Sequence, residues 1–167
     1  MDYRIEKRDA FQVVCKRKRV EKPQSGSATP DITAMWQECG ADGTMARLIA
    51  CLPENPEMKG LLGICFSSEL NAKQFPYGTG VEYDGRKVDS DLEIVTIPAH
   101  TYAVFTTRGK MPDAFIETYH RIVTEFFPQS TQYEYAEGVE FEVYPSADTT
   151  APNYHCEIWI AVNEKTE

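Results

Sequence analysis

One carboxylate stands in the middle of an otherwise apolar run near the C-terminus: Tyr154-His155-Cys156-Glu157-Ile158-Trp159-Ile160-Ala161-Val162. In a strand, successive side chains face opposite ways. Tyr154, Cys156, Ile158, Ile160 and Val162 then share one face, and His155, Glu157, Trp159 and Ala161 share the other. Both faces are largely apolar, the pattern of a strand covered on both sides. An ionised carboxylate there is costly unless a partner neutralises it or it holds its proton. No Lys or Arg lies within the run, which leaves two readings. Glu157 sits at a rim or pairs with a distant Arg, or it lies beside an indole at the floor of a pocket that takes a cationic or hydrogen-bond-donating ligand.

Other chemistry is weaker. Lys16-Arg17-Lys18-Arg19 is the one basic run, but alternate side chains point apart in a strand and the chain carries a net charge of −9. That balance opposes phosphate-backbone binding, so a solvated strand end is expected and no direct nucleic-acid contact. Gly78-Thr79-Gly80 has no helix pattern after it to complete a phosphate loop. His100, His120 and His155 show no metal spacing to one another or to the cysteines, so neither metal nor cofactor is expected. His155 shares a strand face with Glu157 and is a candidate proton partner. Cys15, Cys39, Cys51, Cys65 and Cys156 form no CxxC pair, which fits reduced thiols in a cytoplasmic protein. The opening MDYRIEKRDAF has no apolar signal stretch, and no segment is long and apolar enough to span a membrane.

The elements that must position these groups repeat. Tyr3 to Val20 reads as two strands broken near Asp9, followed by a turn-rich connector. Thr29 looks like an N-cap with Pro30 at the first helical position. Ile32, Met35, Trp36 and Cys39 then follow at helical spacing, and Gly40 ends the helix. Leu61 to Ser67 and Gly80 to Tyr83 read as strands. The second half replays the order: strands at Leu92 to Ile97 and His100 to Arg108, a helix from Pro112 to Pro128, then strands at Val139 to Tyr144 and Tyr154 to Val162. That helix carries an apolar stripe that includes Phe126 and Phe127, expected in the core. Ala10 aligns with Ala99. One domain over residues 1–167 is expected, with halves of about 1–88 and 89–167 and a cleft where they meet.

The chain resembles the GyrI-like small-molecule-binding family, the effector-binding domain of AraC- and MerR-type multidrug regulators. The resemblance rests on Ile97-Pro98-Ala99-His100-Thr101-Tyr102-Ala103-Val104-Phe105-Thr106, on Trp36, on Phe141-Glu142-Val143-Tyr144 and on Cys156-Glu157-Ile158-Trp159-Ile160. It implies an α+β fold of duplicated strand-helix-strand-strand units. These form a curved antiparallel sheet with two helices on one face and a ligand cleft between the units. It also implies a pocket-floor glutamate in the last strand, mapped onto Glu157, with aromatic walls from Trp36, Tyr83, Tyr102 and Trp159. The family often ends this strand with Ile-Pro-Val, where this chain has Ile160-Ala161-Val162. No helix-turn-helix segment is visible, so a stand-alone effector-binding domain is expected.

The function expected is binding of small, hydrophobic, cationic molecules, as a drug or effector sensor or sequestrant linked to transcription regulation. Two alternatives come from other classes. One is a stand-alone hydrolase of electrophiles with Glu157 as general base and Tyr102 or Tyr83 as donor. The other is a gyrase-modulating interaction protein.

Overall fold

The computed structural model describes residues 1–21, 30–66, 73–146 and 148–166. The expected N-cap, Thr29, and the end of the Leu61 to Ser67 strand lie outside them. Among the described residues there are nine strands: β1 (Tyr3–Arg8), β2 (Phe11–Glu21), β3 (Leu61–Cys65), β4 (Gln74–Glu82), β5 (Glu93–Ile97), β6 (His100–Arg108), β7 (Tyr133–Tyr135), β8 (Glu140–Tyr144) and β9 (His155–Glu164). The helices are α1 (Pro30–Ala41), α2 (Thr44–Ala50) and α3 (Asp113–Arg121). α3 runs on through a π-helical turn, Ile122–Phe126, and a last turn, Phe127–Gln129. Pro128 accounts for the wide turn. It cannot donate to the Thr124 carbonyl, and its ring crowds that group, so the helix opens ahead of it instead of stopping.

The strands form one curved antiparallel sheet in the order β1-β6-β9-β8-β3-β4-β2-β5, with β7 added alongside β9. Exchanging each strand for its counterpart in the other unit (β1 with β5, β2 with β6, β3 with β8, β4 with β9) returns the same order reversed. The duplication therefore has its pseudo-twofold axis between β3 and β8. The first and last pairings in that order are also continuous with each other. Tyr3 to Arg8 pairs with Phe105 to His100, and Phe11 to Cys15 continues the same register against Ile97 to Glu93. The ladder is interrupted at Asp9-Ala10 opposite Pro98-Ala99, where Pro98 has no N–H to give. This ribbon draws the two edges of the sheet together and curves it.

Alternation then sorts the side chains into two layers. The inner face packs on itself: Val13, Cys15, Leu62, Ile64, Tyr102, Val104, Phe141, Val143 and Trp159 are all buried in one cluster. At its mouth Arg8 reaches from β1 to Glu82 on β4 at 2.7 Å and stacks over the Phe11 ring at 3.7 Å. The outer face carries the helices. α1 sets Met35 and Cys39 on Val20 and Tyr77. α3 and its π turn set Phe115, Tyr119, Ile122 and Phe126 on Ala103, Phe105, Ile158 and Ile160. α2, which has no counterpart in the sequence reading, covers Val14 and Val81 with Leu48. The basic run is met by nearby acids: Lys16 by Asp42 (3.3 Å), Lys18 by Glu38 (3.7 Å) and Arg17 by Glu93 (2.6 Å).

Candidate functional site

The five residues singled out in the sequence fall in three places. Glu157, Trp159 and Tyr102 do come together, on the inner face. Glu157 accepts a 2.6 Å bond from the Arg4 guanidinium at one oxygen and a 3.2 Å bond from the Trp159 indole N–H at the other. Arg4 lies 5.7 Å from the Trp159 ring centre, and the Tyr102 ring meets Trp159 edge-on at 5.7 Å. Burial pushes the Tyr102 phenol up to about 12. The distant arginine is thus the partner of Glu157: the charge that an apolar strand cannot carry is neutralised by a residue 153 positions away. His155 is exposed and its ring turns to the Asn153 carbonyl (3.4 Å), away from Glu157. Tyr83 lies under α2 and donates to the Arg86 carbonyl at 2.6 Å. Trp36 is on the outer face. The expectation that Trp36 and Glu157 face one cavity is corrected by strand parity, since Glu157 pairs with Val143 while Trp36 bonds Tyr77 on the helix side.

A second carboxylate site lies where Trp36 points. On β8 the residues alternate, with Phe141 and Val143 buried inward and Glu140, Glu142 and Tyr144 outward and only partly covered. Leu61 and Cys65 of β3 are likewise half-buried, so the central strands form the floor of a recess between α1 and α3. Gly63 pairs with Glu142 across the pseudo-twofold axis. A Cβ there would strike the Tyr77 hydroxyl and stand 3.1 Å from the Glu142 carboxylate, so only glycine leaves the space. Trp36 donates its indole N–H to the Tyr77 hydroxyl at 3.0 Å and meets the Tyr144 ring edge-on at 5.6 Å. The Tyr144 hydroxyl donates to Glu142.

The electrostatics are those of a starved anion. Burial lifts the Glu142 carboxyl to about 7, against the bond from Tyr144, and the neighbouring Glu140 pushes the same way. Burial also raises Glu140, partly offset by hydrogen bonds from Tyr135 (2.9 Å) and Tyr119. Tyr77 and Tyr144 are held well above the ordinary phenol range, first by burial and then by the Glu142 charge. Among the described residues no Lys or Arg pairs with either carboxylate; every ion pair there uses other acids. A separate surface groove of about 340 Å³ is lined by Met1, Tyr3, Arg121, Glu125 and Phe126, but there Arg121 and Glu125 neutralise each other at 3.1 Å. Among the described residues no group of three His, Cys, Asp or Glu is placed to hold a metal, and no helix is long and apolar enough to cross a membrane.

The sequence profile of the family Cass2, integron-associated effector binding protein, matches residues 4–162. The chain belongs to the Cass2 family. This effector-binding family has the GyrI-like fold expected from the sequence. Among solved structures, this Cass2 member is similar to SAV2435 bound to tetraphenylphosphonium, at 24% identity and TM-score 0.80 over 98% of this chain and 94% of that one. It is also similar to a putative transcription regulation protein from Staphylococcus aureus MU50, at 26% identity and TM-score 0.75 over 98% and 99%. An integron cassette protein of Vibrio cholerae shares the fold at 18% identity and TM-score 0.60, over 96% of this chain and 95% of that one. No curated protein matches the chain.

Sequence reasoning gave no site role in this Cass2 protein to Glu140, Glu142, Tyr77 or Tyr144, although Glu142 and Tyr144 lie in a stretch that carries the resemblance. A signal for them was present. Glu140-Phe141-Glu142-Val143-Tyr144 alternates polar and apolar, which puts two carboxylates and a phenol on one strand face. Only the fold shows that helices flank that face.

Proposed function

We propose that this protein binds lipophilic organic cations in the recess between α1 and α3, with Glu142 as counter-ion and Trp36, Tyr77 and Tyr144 as aromatic walls. The observation that carries the reading is a half-buried carboxylate bordered by aromatic side chains, with no Lys or Arg paired to it among the described residues. An external cation supplies the missing charge, and the rings add roughly 0.5–2 kcal/mol each through cation–π attraction. The likeness to SAV2435, whose structure holds tetraphenylphosphonium, supports the same ligand class. Glu157 and Trp159, the pair first mapped to the pocket floor, already hold Arg4 as their cation. The protein then serves as an effector sensor with a separate regulatory partner, or as a sequestrant of cationic drugs.

Calorimetry with tetraphenylphosphonium tests this. Glu142→Gln is expected to weaken binding at least about tenfold, equivalent to ~1.4 kcal/mol. Glu157→Gln should leave it unchanged, and tetraphenylborate, of the same shape and opposite charge, should bind poorly. Equal affinity of wild type and Glu142→Gln would remove Glu142 from the site. The contact between Tyr144 and Glu142 favours one second reading. A carboxyl that titrates near neutrality beside a phenol suits general acid–base hydrolysis, with these two residues in place of Glu157 and Tyr102. Turnover of a strained-ring or ester electrophile, lost in Glu142→Gln, would establish that activity.

A further inference from the structure

The recess has two anionic ends. Glu140 and Glu142 stand two residues apart on one face of β8, a separation of roughly 7 Å along the strand. Each is bordered by its own set of aromatic side chains. Glu142 has Trp36 of α1, Tyr77 of β4 and Tyr144. Glu140 has Tyr119 of α3 and Tyr135 of β7, whose hydroxyl donates at 2.9 Å. On the neighbouring strand Gly63 and Cys65 stand opposite the two acids. Gly63 raises no wall, and the space its missing side chain leaves is taken by the Tyr77 hydroxyl beside Glu142.

A single cation leaves this arrangement half satisfied. Neutralising Glu142 supplies no counter-ion to Glu140, whose ionised form burial disfavours. A ligand with two positive centres at the same spacing would satisfy both.

Resting on the cation-binding reading above, we propose that the recess contains two cationic subsites, and that Glu140 selects elongated aromatic ligands carrying two positive centres about 7 Å apart. Glu142 binds the first centre and Glu140 the second, each with aromatic side chains alongside.

Three probes of similar aromatic surface separate charge from spacing. N,N′-dimethyl-4,4′-bipyridinium carries its charges at opposite ends. The ethylene-bridged 2,2′-bipyridinium carries two charges side by side, and N-methyl-4-phenylpyridinium carries one. Calorimetry above the pH at which Glu142 ionises should show the 4,4′ dication binding wild type at least about tenfold tighter than either other probe. Glu140→Gln should erase that advantage while leaving the monocation within about threefold of wild type. Equal affinity of the 4,4′ dication and the monocation for wild type overturns the proposal, whatever the variant's folding. So does a Glu140→Gln variant that weakens all three probes alike. If the monocation instead binds wild type and Glu142→Gln equally, the cation site at Glu142 itself falls, and the two-subsite proposal falls with it.

Discussion

At the scale of single residues, the decisive contrast is between two strand glutamates, Glu157 and Glu142, that lie on opposite faces of the sheet. Glu157 has a guanidinium at 2.6 Å and an indole N–H at 3.2 Å; Glu142 has a phenol and a second carboxylate. Because Glu142 is lifted to about 7, cation binding below that pH must expel a proton. The affinity for tetraphenylphosphonium should therefore rise by up to about tenfold per pH unit as pH approaches 7 and level off above it. Titrations at several pH values check this, and Glu142→Gln should flatten the curve. The same shift acts on folding with the opposite sign. The unfolded side chain titrates near 4.5 and the folded one near 7, so the folded state holds the extra proton in between. In the empty protein this group lowers stability as pH rises through that window and costs nothing below it. Denaturant midpoints that fall with pH in wild type, and fall less in Glu142→Gln, are the expected result.

At the scale of elements, the crossing ribbon of β1–β2 with β5–β6 is what curves the sheet, and Arg8 fastens it. Its side chain is 9% exposed, and the Glu82 oxygen that it binds also accepts the Met58 N–H at 3.1 Å. Removing one partner of such a pair leaves a charge without a counter-ion. Arg8→Ala should cost about 3–5 kcal/mol, whereas replacing Arg8 and Glu82 together by methionine should cost less. Chemical denaturation of the two variants decides the point: if the double change is the worse one, the pair does not act as a fastening. The ribbon was partly legible. The break near Asp9 and the Pro98-Ala99 break both appear in the sequence, but the single register joining them does not, because pairing between residues so distant leaves no local periodicity. β4 was read too short because Pro76 and Gly78 look like a bend. The strand begins at Gln74 all the same, held by its ladder to β2. α2 was missed because its seven residues are too few to show a periodic stripe.

At the scale of the molecule, the sheet divides the protein into two compartments, each with one tryptophan. Trp159 is sealed in the inner core at 1% exposure, while Trp36 borders the recess. A cationic ligand in the recess should change the emission of Trp36 and leave that of Trp159 alone. Trp36→Phe is expected to abolish the fluorescence response to tetraphenylphosphonium, and Trp159→Phe to preserve it. A response that survives in Trp36→Phe and vanishes in Trp159→Phe would move the ligand to the inner face.

The sequence by itself determined the duplication and the class of fold, and it pointed to the kind of ligand proposed above. All three are written in local patterns: alternation in the strands, a helical stripe in α3, and carboxylates set among aromatic residues. It also raised the question of what compensates Glu157, since an apolar strand cannot hold an ionised side chain alone. Tertiary structure decided which carboxylate has no cationic partner among the described residues. Parity within a strand tells which residues share a face, but not which face the helices flank or which arginine crosses the sheet. Arg4 arrives at Glu157 because β1 pairs with β6, and β6 with β9. Among the described residues no Lys or Arg reaches Glu142, whose strand neighbour at the pseudo-twofold axis is a glycine.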